Sequence, residues 1–299
     1  LLLAALFALP AFLLLAALGG YRIVRHAFRP LDKITATADT INQAHDLSGR
    51  IGLPPGKDEF SRLAETFDQM FARLEQSFEA EKQFIADASH ELRTPVSIIR
   101  GACEYAEKYE ETPEERQETI SMIRRQSEKM TELISQLLNM ARLDQKTAPV
   151  QFENINLTEL AEAICQDRIL ENKRLTYTLQ QDISVKGDSV LLTRLIQNLL
   201  DNAFKYGKPD GQVHLSLSRD EKETLLSVRD DGIGIPEDQQ EKIWQRFYQI
   251  DPSRGENSGS GLGLSMVQRI AQVHGGYMTL KSIPNIGSDF TFHLPEQKP

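Results

Sequence analysis

Apolar residues recur at alternating spacings of three and four through the first half of the chain. Leu31, Ile34, Ala38 and Ile41 form one short seam, and Phe60, Leu63, Phe67, Met70 and Leu74 form a second. This is the heptad pattern of helices that coil around partners. Gly49, Gly52, Pro54, Pro55 and Gly56 mark residues 46–57 as a connector. No Gly or Pro interrupts residues 58 to 94, so one helix is predicted to run from the second seam into the stretch Phe84–Val96. The registers along it disagree. Phe60, Phe67 and Leu74 lead to Glu81, whereas the later seam uses Ile85, Leu92, Ile99 and Ala106, with Ala88, Pro95 and Ala102. The offset of four residues is a stutter, which locally unwinds a left-handed coil. It is either a passive joint between two bundles or an element with two packings.

A partner helix starts at Thr112-Pro113-Glu114-Glu115. Thr112 suits the cap, Pro113 the first helical position, and Glu115 completes a capping box. Its expected seam is Ile120, Ile123, Ser127, Met130, Ile134, Leu137 and Ala141. One hairpin of two such helices cannot bury both seams. Two hairpins make a four-helix bundle, so a homodimer is the physical expectation.

Residues 145–150 lose periodicity, and beyond them helical and alternating patterns mix. Helices are predicted over 157–174, 188–206 and 262–274, the first with Asn156 as cap. Strands are predicted over 175–179, 183–186, 213–218, 224–230, 277–282 and 289–294. Residues 231–260, rich in Gly, Pro and Ser, hold only a short helical piece around 241–247. The order predicts an α/β sandwich with one long loop.

Composition sharpens this picture. The 299 residues are 40% hydrophobic and 26% charged, and carry a net charge of -9, which argues against electrostatic binding of nucleic acid. Cys103 and Cys165 lie far apart and read as two packed thiols, not a disulfide framework or zinc site. Residues 1–18 contain no charge, enough for a membrane-spanning helix. Arg22, Arg25, Arg29 and Lys33 follow, which places the C-terminal side in the cytoplasm. A signal peptide is the competing reading. The first residue is not Met, so a fragment is expected.

Chemistry concentrates at four places. In the 84–96 stretch, the heptad count puts His90 outside the seam, with Glu91 beside it and Thr94 one turn on. Pro95 loosens the helix just beyond. Asn198 and Asn202 stand one turn apart on one face, with Lys205 and Tyr206 following. Amide oxygens there could serve Mg²⁺, although two such residues are usually just surface. Asp230-Asp231-Gly232-Ile233-Gly234 follows a strand. There a carboxylate could accept from an exocyclic amine such as adenine's, or the segment is an ordinary turn. Gly259-Ser260-Gly261-Leu262-Gly263 opens a helix, whose terminus favours phosphate. Arg246, Phe247, Tyr248 and Arg254 lie between the last two clusters.

The heptad helices around a connector, with Pro30 and Glu59, resemble a HAMP module. In order and spacing, Ser89–Pro95, Asn198–Tyr206, Asp230–Ile235, Phe247 and Gly259–Gly263 resemble the phosphoacceptor, asparagine, first glycine, phenylalanine and second glycine motifs of bacterial transmembrane sensor histidine kinases of two-component systems. Asp231 and Ser258 depart from the commonest residues of that pattern.

The resemblance implies a transmembrane helix over 1–20, a parallel coiled-coil HAMP bundle over 21–77, and a dimeric bundle of antiparallel helical hairpins over 78–146. Residues 151–299 would be an ATP-binding α/β sandwich of the Bergerat type. It implies ATP-dependent phosphorylation of His90 at Nε2, oriented by Glu91, then transfer to an Asp of a cognate response regulator. Thr94 implies a phosphatase activity towards that regulator. Asp230, with Gly232 and Gly234, would read adenine. Asn202 and Asn198 would hold Mg²⁺. Lys205, Arg246 and Gly259, Gly261, Leu262 and Gly263 would meet the phosphates under a lid over 236–260, with Phe247 and Tyr206 flanking the site. The implied location is the bacterial cytoplasmic (inner) membrane. Two alternatives stay open. A non-kinase ATPase sharing the pocket would lack the His90 hairpin. A catalytically inactive signalling scaffold would have lost pocket residues.

Overall fold

The computed structural model describes residues 49–54, 59–109, 112–144, 150–171, 174–250 and 260–296, with scattered positions between 13 and 35. The expected membrane helix and first heptad seam fall largely outside the described residues, as do Arg254 and Gly259. Among the described residues, no helix is long and apolar enough to cross a membrane. The chain divides into two units, residues 1–86 and 87–299.

In the first unit, the connector packs onto the start of helix α1 (Glu59–Lys108). Ile51, Ala64 and Phe71 form a small buried cluster with Leu53 and Phe67 against it. Asp68 fixes the connector by accepting the N–H groups of Ile51 at 2.7 Å and Gly52 at 3.2 Å. Arg50 pairs with Glu75 at 2.5 Å. The expected seam is therefore rotated. Ala64, Phe67 and Phe71 face the connector, while Leu63, Met70 and Leu74 remain exposed.

α1 runs unbroken through the stutter, as the absence of Gly and Pro over residues 58–94 predicts, and it continues past Pro95 and Gly101. Helix α2 (Pro113–Asp144) begins at the expected capping box. Thr112 N–H donates to Glu115 at 2.8 Å, and Glu115 N–H returns to the Thr112 hydroxyl at 3.3 Å. The Thr112 N–H, together with the Thr112 hydroxyl that donates to the same carboxylate at 2.9 Å, holds the Glu115 carboxyl below its usual range.

α2 is rotated as well, in the opposite sense, its buried stripe preceding the expected seam by one residue. Gln126, Leu133, Met140 and Leu143 are buried, whereas Ile120 and Ile134 of the expected seam are exposed. Ile123, Met130 and Leu137, half-buried, belong to both stripes. One face is thus used within the chain, and a second apolar face is left uncovered. Cys103 is exposed, contrary to the expectation of two packed thiols; Cys165 is buried, which pushes its thiol up to about 12.

The C-terminal sandwich follows the predicted alternation. Its elements are β1 (Glu153–Asn156), α3 (Leu157–Glu171), β2 (Leu175–Leu179), β3 (Ser184–Gly187), α4 (Ser189–Tyr206), β4 (Val213–Arg219), β5 (Glu223–Asp230), α5 (Gly263–Val273), β6 (Tyr277–Ile283) and β7 (Gly287–Pro295). The five-stranded sheet has the order β2-β4-β5-β7-β6, and only β2 and β4 pair in parallel. β1 and β3 form a separate antiparallel pair. The alternation of β4, β5 and β7 sends Leu215, Leu217, Leu226, Val228, Phe290 and Phe292 into the core. They meet Leu192, Leu195, Ile196, Leu199 and Leu200, which recur at helical spacing on α4. The helical piece expected at 241–247 resolves into two 3₁₀ turns, Glu237–Gln239 and Lys242–Trp244.

The predicted Asn156 cap forms, and Asp188, read only as the first residue of its helix, is a second cap. Asn156 accepts the Glu159 N–H at 3.2 Å, and Asp188 accepts the Leu191 N–H at 3.0 Å. Behind Asp188 sits His274, only 1% exposed. Its Nδ1 bonds the Ile270 carbonyl at 2.8 Å, and its Nε2 accepts the Asp188 N–H at 3.1 Å. These partners fix the neutral tautomer with the proton on Nδ1. Burial lowers its pKa, against the opposing influence of the Ile270 bond and the Asp188 charge.

The unfolded chain therefore binds a proton on this residue below about pH 6.5 that the folded chain refuses. Stability should fall as pH drops below that value, by at most about 1.4 kcal/mol per pH unit. His274→Gln should flatten this limb in denaturant midpoints taken between pH 7.5 and 5.

Candidate functional site

His90 projects from α1 and is exposed, as is Thr94, while Glu91 is half-buried. Thr94 Oγ1 turns back to the His90 carbonyl at 3.4 Å. Pro95 has no N–H, so the helical bond to the carbonyl of Glu91, four residues earlier, cannot form. The histidine turn thus combines an outward ring with a locally weakened ladder.

The remaining candidate residues converge at one edge of the sandwich. Tyr206 ends α4, and its carbonyl accepts the Ile233 N–H at 3.2 Å. A Cβ on Gly232 would lie 2.1 Å from that carbonyl oxygen, so the first glycine loop can press there only without a side chain. Gly234 has φ +64, and a Cβ on it would lie 2.0 Å from the Ile283 carbonyl.

This loop presents Asp230, 5% exposed at the end of β5. Its Oδ1 accepts the Gly232 N–H at 2.8 Å, and the backbone N–H of Ser288 also donates to the carboxyl. Burial pushes the Asp230 carboxyl above its usual range. The two backbone donors pull the other way, and Asp231 and Asp289 add to the rise. A largely buried carboxyl with acceptor capacity suits an amine donor.

The second glycine motif meets the asparagine helix. A Cβ on Gly263 would be 3.3 Å from Asn198 Oδ1. The Asn198 amide nitrogen is engaged by the Arg194 carbonyl at 2.9 Å, which turns the oxygen towards that glycine. Asn202, one turn on, is half-buried. α5 begins after Leu262 with no side-chain cap, so its first N–H groups point outward, the arrangement that attracts anions.

Phe247 takes φ 59, a left-handed conformation costly for a bulky residue. Gly261 makes room for it. The Phe247 N–H bonds the Gly261 carbonyl at 3.0 Å, and a Cβ on Gly261 would lie 2.6 Å from the Phe247 backbone. Lys205 lies 5.0 Å over the Tyr206 ring. Burial lowers the Lys205 pKa, and the nearby charge of Lys129 lowers it further.

The structure adds a contact that the sequence did not suggest. The end of α2 docks on this domain. Met140 and Leu143 join its core, and Ser260 bonds Gln136 at 2.6 Å. Asp144 binds Arg246 at 2.5 Å and lies 3.2 Å from Arg269, whose other nitrogen donates to the Leu143 carbonyl at 2.9 Å. Met140 stands one residue before Ala141 of the expected seam, on the buried stripe that also holds Gln126 and Leu133.

Comparison with known proteins accounts for this arrangement. Three family models match in succession: the HAMP domain over residues 22–76, the His Kinase A (phospho-acceptor) domain over 80–146, and the histidine kinase-, DNA gyrase B-, and HSP90-like ATPase over 187–298. Sensor histidine kinase YkoH of Bacillus subtilis is 31% identical over 282 residues, 93% of this chain and 62% of that protein. Signal transduction histidine-protein kinase BaeS of Escherichia coli is 31% identical over 296 residues, 95% of this chain and 61% of that protein. The chain thus spans about three fifths of the length of these curated relatives. The solved structure of histidine kinase ThkA in complex with response regulator protein TrrA shares the fold at TM-score 0.58 and 23% identity, covering 80% of this chain and 68% of that one. The chain belongs to the sensor histidine kinases of two-component systems.

Proposed function

We propose that the sandwich binds ATP and phosphorylates His90, and that the phosphoryl group then passes to an aspartate of a separate response regulator. The observation that carries this reading is the exposed His90 on a helix preceding one edge where Asp230, Asn198 and both glycine motifs converge. Asp230 would accept the adenine amine, and Lys205, Arg246 and the α5 terminus would meet the phosphates.

The residues fit a bound Mg²⁺ in donor type. Asn198 and Asn202 offer hard amide oxygens from one helix face, and substrate oxygens would supply the rest. Mg²⁺ there would neutralise charge developing on the phosphates. The lone pair of His90 Nε2 attacks the γ-phosphorus, an N–P bond forms, and the bond to the ADP oxygen breaks. Glu91 would accept from Nδ1–H, orient the ring, and balance the imidazole charge.

The phosphoryl group should be stable in base and labile in acid, which a labelled chain treated at both extremes would show. Release of all label as free phosphate would instead favour a non-kinase ATPase.

Homodimerisation is supported by the phosphoacceptor family match and by the uncovered stripe of Ile120 and Ile134. A response regulator as partner is supported by the phosphoacceptor domain and by the TrrA complex of ThkA. Residues 1–20 would span the inner membrane, a reading supported by the uncharged run and the HAMP match. Thr94 would position water for dephosphorylating the regulator. Thr94→Ala should lower that rate at least about tenfold while sparing kinase activity.

Asp144 bears on the same reading, because it occupies an arginine that the phosphates would need. ATP and Asp144 then compete for Arg246. Asp144→Asn should lower the ATP concentration for half-maximal autophosphorylation about threefold, a modest effect because the pair is partly solvated.

A further inference from the structure

The first glycine loop and the turn between β6 and β7 are tied together behind Asp230 by two side chains that no motif includes. Ser282, on β6, accepts the Ile235 N–H at 2.8 Å. Its hydroxyl donates to the Gly287 carbonyl at 3.0 Å and lies 3.0 Å from the Ser288 hydroxyl. This uses its one hydrogen and both lone pairs, so the group is fully satisfied in one geometry.

Gln240 closes the junction from the other side. Its amide nitrogen donates to the Ile235 carbonyl at 3.0 Å and to the Ser282 carbonyl at 3.1 Å, one acceptor from each segment. A backbone bond, Asn285 N–H to the Ile233 carbonyl at 2.7 Å, lies alongside.

The junction bears directly on the carboxyl. Gly287 packs so closely that a Cβ on it would lie 2.1 Å from the Asp230 carbonyl oxygen. Ser288 pairs with Asp230 across β5 and β7 and supplies one of its two backbone donors. The other donor, Gly232, belongs to the loop that Ile235 continues. Ser282 and Gln240 therefore fix the spacing between the two segments that each hold one side of Asp230.

We propose that Ser282 and Gln240 are positioning residues that lock the first glycine loop to the β6–β7 turn, and so aim the Asp230 carboxyl at the exocyclic amine of a 6-aminopurine nucleotide. This rests on the reading of Asp230 as the adenine acceptor. It adds that selectivity for the amine depends on side chains that touch neither nucleotide nor Asp230. A purely structural role would weaken binding of any nucleotide equally. A positioning role weakens only those carrying the amine.

The test compares binding of ATP and of purine riboside triphosphate, which lacks the 6-amino group, to the full chain by titration calorimetry. The unaltered chain should prefer ATP at least about tenfold, the scale of one hydrogen bond to a charged acceptor. Ser282→Ala and Gln240→Leu should each reduce that preference to about threefold or less, with affinity for the purine analogue unchanged. Ser282→Thr, which keeps the hydroxyl, should retain the preference. Gln240→Leu lies outside the strand and keeps the test decisive where Ser282→Ala lowers stability.

Two results would overturn the proposal: variants that keep the full preference, or variants that lose affinity for both nucleotides in parallel. An unaltered chain with no preference would overturn the reading of Asp230 itself, and the proposal with it.

Discussion

Replacing His90 with glutamine is expected to abolish protein-bound phosphate while leaving ATP affinity within about twofold. Glutamine is close in reach, but its amide nitrogen has no available lone pair for attack on phosphorus, so the nucleophile is lost outright. His90 is exposed on α1 and contributes nothing to the sandwich core, so fold and nucleotide binding have no reason to change. Filter-bound counts from labelled ATP, with calorimetric titration of ATP in parallel, would check both halves. Residual label near the unaltered level would place the acceptor elsewhere.

The second large effect is expected at Asp230. Asp230→Asn keeps the size of the side chain and one oxygen, which can still accept the Gly232 N–H. It presents an amide donor where the nucleotide amine must donate. Two donors then face each other in a site that is 5% exposed, and water cannot relieve the conflict. A lost charge-assisted bond and an unsatisfied buried group together cost about 2.7 kcal/mol, or about 100-fold in affinity. Thermal unfolding without nucleotide should change little, because burial already disfavours the charged carboxylate. A stability loss that matched the affinity loss would contradict the assignment.

Much of this was legible from residue pattern. The run of α1 up to Thr94 follows from the absence of Gly and Pro, the seam residues Ile99 and Ala106 continue it past Pro95, and the capping box at Thr112 fixes where α2 begins. The motif residues of the sandwich indicated the edge where they converge, because glycines must lie where backbones approach closely. Gly232, Gly234 and Gly261 each do so.

What escaped was chiefly rotational. In both α1 and α2 the stripe buried within one chain lies one residue away from the expected seam. Heptad counting finds apolar positions but not which partner each face meets. Leu63 and Ala64, like Ile134 and Leu133, are neighbours with opposite fates.

Strand β1 escaped because Glu153–Asn156 is short and buries only Ile155. The left-handed Phe247 escaped because nothing about a phenylalanine announces a positive φ; only its contact with Gly261 explains it. Ser282 and Gln240 escaped because the bonds by which they join the two segments, to the Ile235 N–H and to the Ser282 carbonyl, span 47 and 42 residues. The docking of Asp144 on Arg246 and Arg269 escaped for the same reason, since it joins residues about a hundred positions apart.

The central claim is that this chain is both enzyme and substrate, with His90 as the acceptor. Its most direct test is to incubate the full chain with γ-labelled ATP, digest it under alkaline conditions that preserve phosphohistidine, and locate the label by peptide mapping. The predicted result is label confined to the peptide containing His90. Label on another residue, or ATP consumed with no label retained by the protein, would contradict it.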